Sequence, residues 1–248
     1  MSLLATVHTA NVITAVKSTT PTLTHVIPSQ GGHGVTAVTS LGDDVFVARH
    51  KSQVEVYDAV TLTLQRCLIV FGRSRSLAAC PINYCLYACG FDDDRVHRVE
   101  LSGSNAVKNW SVDGGPVALS VNSEQNLIVA FCDADRLQEY TTHGSLVGEI
   151  CLQTGVTDPW HAIQLSTGHY VVSQYTSPGV VSVVGVDGQV VRSYGQSQTS
   201  DVGQMKNPSS LAVTKNDDIL VADEHNNRIL SIDSSLGSIQ EHTLYSVS

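Results

Sequence analysis

A pattern that recurs five times along this chain constrains its fold more than any other feature of the sequence. Each copy carries a small residue at the same place, and the steps between these residues are 40, 42, 43 and 49 positions, at Ala48, Ala88, Ala130, Ser173 and Ala222. A period of roughly 40 residues is typical of a four-stranded β-propeller blade. Because one blade cannot bury a core alone, we expect the copies to pack against one another.

The local pattern inside each copy predicts strands throughout. In the last copy, the apolar runs SLAVT, ILVAD and RILSID alternate with the polar turns KNDD and EHNN, which is the signal of short strands joined by tight loops. The sequence therefore predicts an all-β fold in which residues 1–248 form a single domain, a six-bladed β-propeller of four-stranded antiparallel blades. A five-bladed ring with an N-terminal extension is the alternative.

The N-terminal residues supply the predicted sixth blade. Three strand-like runs, LLATVHT, VITAVKS and LTHVIPS, precede the first copy, and the C-terminal stretch HTLYSV could complete the same sheet. Sharing of one blade by the N- and C-terminal strands would close the ring and remove its open sheet edges.

Composition and charge limit the location and the partners that we expect for this protein. The chain has 14 basic and 23 acidic residues, a net charge of −9, which opposes non-specific attraction to DNA, RNA or an anionic membrane. It has no run of eighteen apolar residues, and the start MSLLATVHTA lacks the features of a signal peptide. We therefore expect a cytoplasmic protein that binds neither membrane nor DNA.

The six cysteines are interpreted as reduced thiols. Most lie in apolar runs such as RCLIV, YCLYAC and EICL, where a thiol behaves as a small buried hydrophobe. A zinc site is the alternative, but Cys85 and Cys89 stand four apart on one predicted strand, with no CxxC or HxxxH partner. We predict no metal and no other cofactor.

The segment NPSSLAVTKNDDILVADEHNNRILSID, from Asn207, resembles an NHL repeat, in which an apolar strand ending in Val-Ala-Asp is followed by Asn-Arg and another strand. The resemblance is to propellers such as the NHL domain of tripartite-motif proteins. It implies that Asp223 and Arg228 are the acid and base of the repeat, with weaker pairs at Asp92 and Arg95 and at Asp133 and Arg136. We interpret these pairs as structural, since a carboxylate can accept backbone N–H bonds and bridge to a guanidinium; a polar ring at the channel mouth is the alternative.

Related propellers also include calcium-dependent lactonases, phosphotriesterases and amidating lyases, so a hydrolase or lyase with a channel metal is an alternative function. Its ligands would come from the loop acids and amides Asp92, Asp93, Asp94, Asp133, Asp135, Asn226 and Asn227. The same loop position in successive blades spreads the acids around the ring, so we favour a solvated acidic rim over a calcium site. His161 stands in a column that holds Thr36, Leu77, Val117 and Leu211 in the other copies, and could be a ligand, a general base or a core side chain. Neither GxSxG, a P-loop nor HExxH occurs, and we assign no catalytic residue.

The loops that join blades, and those between second and third strands, gather on one face of a propeller. Arg, Tyr and Trp dominate protein interfaces, and the predicted binding face carries Arg49, His50, Lys51, Arg73, Arg75, Trp160, His161, Tyr175 and His225. We predict a non-catalytic module that binds a protein partner, and the resemblance suggests substrate recognition for a tripartite-motif-type ubiquitin ligase. The basic cluster from Arg49 to Arg75 makes RNA stem-loop binding a second alternative.

Overall fold

The computed structural model describes residues 3–7, 12–16, 25–26, 34–49, 51–70, 72–90, 93–103, 105–195, 204–214, 216–233 and 239–243. The regular secondary structure within them is almost entirely β-strand, arranged in six antiparallel sheets. The first sheet has three strands, β1 (Leu3–Val7), β2 (Val12–Val16) and β3 (His25–Val26).

Five four-stranded sheets follow in chain order, each a simple meander of consecutive strands. The first blade contains β4 (Val35–Leu41), β5 (Asp44–Arg49), β6 (Gln53–Asp58) and β7 (Leu64–Ile69), and the second contains β8 (Ser74–Cys80), β9 (Cys85–Gly90), β10 (Arg95–Glu100) and β11 (Val107–Ser111). The third contains β12 (Ala118–Val121), β13 (Leu127–Phe131), β14 (Arg136–Tyr140) and β15 (Leu146–Cys151). The fourth contains β16 (Pro159–Gln164), β17 (Tyr170–Gln174), β18 (Val180–Val184) and β19 (Val190–Tyr194), and the fifth contains β20 (Pro208–Val213), β21 (Ile219–Asp223), β22 (Arg228–Ile232) and β23 (Ile239–Thr243).

This architecture confirms the predicted all-β propeller of four-stranded antiparallel blades. The number of such blades is five, the alternative to six, because the N-terminal sheet has three strands among the described residues. Strand β1 lies close to β4 and also to β20 and β21, so this sheet lies between the first and fifth blades. His242 and Thr243 end β23 in the fifth blade; the rest of HTLYSV lies outside the described residues, and the shared blade stays a prediction.

The core lies between the faces of neighbouring blades. One cluster joins the second and third blades through residues such as Tyr87, Leu119 and Phe131, and corresponding clusters join the first to the second, the third to the fourth, and the fourth to the fifth. Each second strand is covered on both sides, and β9, β13, β17 and β21 are buried almost along their whole length. This double burial is the reason that a run such as ILVA, at residues 219–222, is continuously apolar rather than alternating.

Side-chain hydrogen bonds link the innermost strands around the ring. The Thr36 hydroxyl donates to the Ser74 carbonyl oxygen at 2.7 Å, and the Ser120 hydroxyl donates to the Ala162 carbonyl oxygen at 2.6 Å. The Leu119 N–H donates to the Ser76 hydroxyl at 3.0 Å. The first strands of adjacent blades belong to different sheets, so no ladder of backbone hydrogen bonds joins them. The side-chain hydrogen bonds supply polar contacts between the blades instead.

The outermost strands are exposed, which corrects the interpretation of two cysteines. Cys67 on β7 and Cys151 on β15 face solvent, whereas Cys80, Cys85 and Cys89 on inner strands are buried. All six thiols are free. In the part of the chain that is described, no helix is long and apolar enough to cross a membrane.

Candidate binding site at the channel mouth

In the second and fourth blades, β-bulges at the start of the innermost strand turn one side chain towards the central channel of the propeller. The pairing of first and second strands shifts between Ser74 and Ser76 in the second blade and between Pro159 and His161 in the fourth. The skipped residues are Arg75 and Trp160. A β-bulge leaves one residue out of the ladder and redirects its side chain, so both residues can leave their blades and meet.

Arg75, Trp160 and Tyr175 form a continuous stack. The Trp160 and Tyr175 rings are 4.1 Å apart between centroids at an interplanar angle of 18°, and the Arg75 guanidinium carbon is 4.1 Å from the Trp160 ring centroid. Two groups at this distance cannot share one face of the indole, so Arg75 and Tyr175 cover opposite faces. The edge of the stack is closed by His225, whose ring centroid lies 6.2 Å from that of Tyr175 at 74°.

The stack draws its members from three blades. Arg75 starts β8, Trp160 starts β16, Tyr175 follows β17, and His225 lies in the short 3-10 turn Glu224–Asn226 between β21 and β22. The start of a first strand and the end of a second strand lie at the same end of an antiparallel sheet, so all four residues occupy one mouth of the channel. The structure thus brings together four of the predicted binding-face residues.

Glu224 adjoins this stack through Tyr175, and it was absent from the residues predicted from sequence. It is 5% exposed, and burial, followed by the charge of Glu224 and a hydrogen bond to its carboxylate, raises the pKa of Tyr175, while Arg75 lowers it. The Oε2 atom of Glu224 is buried without a hydrogen-bond partner among the described residues. Its sequence signal was an acid directly after the apolar strand ILVAD, where the third blade has Cys132.

His161 has a structural position. Its Nδ1 accepts from the Leu211 N–H at 2.9 Å, which leaves Nε2 to donate to the Leu119 carbonyl oxygen at 3.2 Å. Burial lowers the pKa of His161 to about 4, so the ring is neutral and links the third, fourth and fifth blades with both nitrogens occupied. The pairing register places His161 opposite Ser173, in a column with Ala37, Leu77 and Ala118. The predicted column was therefore one residue off at Thr36, which sits in a bulge, at Val117, and at Leu211, which pairs with Val221 rather than Ala222.

The predicted basic cluster is not one exposed patch. Arg49 is 1% exposed, and its Nε lies 2.9 Å from Glu55 Oε2, because it occupies the buried end of the second strand. Lys51 is half-buried, Arg73 is exposed, Arg75 belongs to the stack, and His50 lies outside the described residues. RNA binding stays a prediction, and it cannot use Arg49 as a phosphate contact in this conformation.

The acid and base of the fifth blade form a buried pair. Arg228 Nε donates to Asp223 Oδ2 at 2.6 Å, and Asp223 is fully buried. The same carboxylate accepts from the Lys206 N–H at 2.6 Å and from the Asn226 amide at 2.8 Å. Arg228 also lies 3.2 Å from Glu241. Asp223 therefore holds the loop before β20 and the loop after β21 together.

The weaker pairs differ from the prediction. In the third blade the residue that corresponds to Asp223 is Phe131, and the Arg136 guanidinium carbon lies 5.1 Å from its ring centroid. Asp133 is exposed, and the ion pairs of Arg136 are to Asp113 and Glu149. In the second blade Arg95 is exposed and donates to Asn109 at 2.6 Å, while Asp92 lies outside the described residues.

The loop acids and amides are dispersed. Across the described ranges, no three His, Cys, Asp or Glu side chains are grouped to hold a metal ion. Asp93 lies 3.0 Å from His97, the Asp135 carboxylate accepts from the Asp158 N–H at 3.1 Å, and the Asn226 amide donates to Asp223 and to the Gln204 carbonyl oxygen. These side chains serve loop structure where the structure describes them.

Comparisons with known proteins agree with the fold. Residues 205–230 match the sequence model of the NHL repeat, and this match together with the propeller fold supports the NHL β-propeller family. No curated protein matches the sequence significantly. Similar solved structures include virginiamycin B lyase from Staphylococcus aureus, with 12% identity, a TM-score of 0.68, and coverage of 98% of this chain and 80% of that one.

Two further solved structures share the architecture. A chain of the nidogen/laminin complex has 9% identity and a TM-score of 0.75, covering 98% of this chain and 93% of that chain. A protein of unknown function from Bacteroides caccae has 14% identity and a TM-score of 0.72, covering 97% of this chain and 93% of that chain. At such identities the likeness concerns the fold alone.

Proposed function

We propose that this protein is a non-catalytic β-propeller binding module whose channel-mouth loops receive a protein partner. The observation that carries this proposal is the stack of Arg75, Trp160, Tyr175 and His225, built from three blades. Tryptophan, tyrosine and arginine are the residues most enriched among those that dominate binding energy. Because each ring is already held by its neighbour, binding loses little side-chain entropy.

Recognition of a ubiquitin-ligase substrate is the more specific form of this proposal, and the NHL-repeat match supports it. The nidogen/laminin complex shows that a propeller of this shape can stand in a protein assembly. No described residue of this chain is assigned a catalytic role.

A random peptide library displayed on phage, selected against the immobilised protein, tests the proposal without a known partner. Affinities of the selected peptides are then measured by calorimetry for the wild type, Tyr175→Ala and His225→Ala. His225 is exposed, so its replacement removes a contact at the mouth with little effect on folding. Loss of a central interface residue typically costs about 2 kcal/mol or more, so we expect Kd to rise by about 30-fold for Tyr175→Ala.

Ile82→Ala is the matched control. Ile82 is 75% exposed in the turn between β8 and β9, at the end of the blade opposite to Arg75. We expect its affinities to stay within about twofold of the wild type, since surface changes away from the site are nearly neutral. Peptides that bind Tyr175→Ala and His225→Ala as tightly as the wild type, or selection that enriches no peptide, would contradict the proposal.

A further inference from the structure

Glu224 is a charged group that the fold has buried and left incompletely bonded. Among the described residues it is the only carboxylate with a buried oxygen that lacks a hydrogen-bond partner. The Tyr175 hydroxyl already hydrogen-bonds to this carboxylate, so it is the second oxygen that lacks a donor. Leaving an acceptor of a buried charge unfilled is costly, and native proteins rarely do so. An acceptor of this kind at the mouth of a channel points to a donor that comes from outside the chain.

The surroundings of Glu224 favour a cation over a neutral donor. Tyr175 is bonded to its carboxylate, and the ring of His225, the next residue in the chain, contacts Tyr175; an aromatic ring attracts a cation towards its face. The chain as a whole carries a net charge of −9, which draws positive ligands towards its surface. The Arg75 cation stacks on the face of the indole opposite to Tyr175, and it makes no hydrogen bond to Glu224 Oε2.

We propose that Glu224 receives a basic side chain, lysine or arginine, from the protein partner. The cationic N–H group donates to Glu224 Oε2, and the rest of that side chain lies against Tyr175 and His225. His225 is exposed, so its imidazole can turn aside as the basic group enters. This inference rests on the proposed function, because it gives the chemistry of the partner residue that reaches the mouth.

Small basic probes test the site directly. The chain has two tryptophans, and Trp110→Phe leaves Trp160, which stacks on Tyr175, as the sole indole reporter. The titrants are Nα-acetyl-arginine amide, Nα-acetyl-lysine amide and the neutral Nα-acetyl-norleucine amide. For ligands of this size we expect a Kd of about 1 mM for the basic amides and no saturable change in Trp160 emission for the neutral one.

Glu224→Gln keeps the shape of the side chain and removes its charge. We expect it to weaken binding of the basic amides at least tenfold. Glu124→Gln is the matched control, since Glu124 is exposed in the turn between β12 and β13 and its loss changes the net charge equally. If Trp110→Phe fails to fold, calorimetry on chains that keep Trp110 gives the same comparison.

Two results would overturn the inference: equal binding of basic and neutral amides, or equal affinities in Glu224→Gln and Glu124→Gln. The selected phage peptides separate this failure from failure of the proposed function. Peptides that bind the mouth without lysine or arginine, and that tolerate Glu224→Gln, would leave the binding module standing and refute the basic side chain. Basic amides that bind through Glu224, when no peptide binds the mouth, would refute the binding module alone.

Discussion

Replacement of Asp223 by alanine tests whether the acid of the NHL repeat is structural. The change removes a fully buried carboxylate that accepts from Arg228 Nε, the Lys206 N–H and the Asn226 amide. Asp133→Ala is the matched control. It removes an acid from the corresponding loop of the third blade, where the side chain is exposed and Arg136 pairs with Asp113 and Glu149 instead.

The expected magnitude follows from what remains after the change. Removing one partner of a buried ion pair typically costs about 3–5 kcal/mol, because the other charge stays buried without compensation. Arg228 keeps Glu241 at 3.2 Å and the Gln204 carbonyl oxygen at 3.3 Å, so we expect the lower end, about 3 kcal/mol. For a chain of this length that corresponds to a fall in Tm of about 6–12 °C. Asp133→Ala should change the stability by no more than about 0.5 kcal/mol.

Urea unfolding followed by circular dichroism, together with calorimetric Tm values, measures both variants against the wild type. A loss below about 1 kcal/mol for Asp223→Ala, or equal losses for the two variants, would refute the structural interpretation of the pair. In that case the Asp223 carboxylate would have a role at the channel mouth rather than in stability.

Three further changes probe the ring and the stack. Because burial lowers the pKa of His161 to about 4, the unfolded chain binds a proton that the folded chain excludes between about pH 4 and 6.5; stability present above pH 6.5 should therefore fall on acidification, by about 3 kcal/mol towards pH 4. Urea unfolding at several pH values should show this extra dependence in the wild type and not in His161→Gln, and parallel pH profiles would contradict it. Gly188→Ala should lower Tm more than Gly168→Ala, since both glycines have positive φ but an added Cβ meets backbone of the neighbouring blade only at Gly188; equal Tm losses would show that the crowding is relieved. Arg75→Met should cost about 1 kcal/mol and shift the emission of Trp160, whereas an unchanged spectrum would mean that the guanidinium does not cover the indole in solution.

Much of the architecture could be predicted because its signals are local. The five recurring segments are the second and third strands of the five blades, and the turns between them carry the expected polar residues. The number of four-stranded blades could not be predicted in the same way. Strand-like runs at the N-terminus indicate strands, but the number that one sheet contains depends on how that sheet fits between β4 and β20.

The site was predicted less completely. Arg75, Trp160, Tyr175 and His225 were expected on one face, since loop position follows from the order of strands. Their mutual stacking could not be expected, because Arg75 and Trp160 stand 85 positions apart and meet through bulges that no local pattern marks. Arg49 was expected to be exposed and is buried. A charged residue at the end of a strand is usually exposed, and its buried partner Glu55 could not be identified from the sequence.

By itself the sequence determined the strand pattern, the blade period and the acid–base pair of the last repeat, because hydrophobic burial and turn geometry act over a few neighbouring residues. Only the tertiary structure decided which side chains share the channel mouth and which of them are buried. Closure of the ring brings distant blades together, and the acid in the loop after a second strand is solvated in one blade, as at Asp133, and interior in another, as at Glu224. Burial of that carboxylate is a property of the assembled ring.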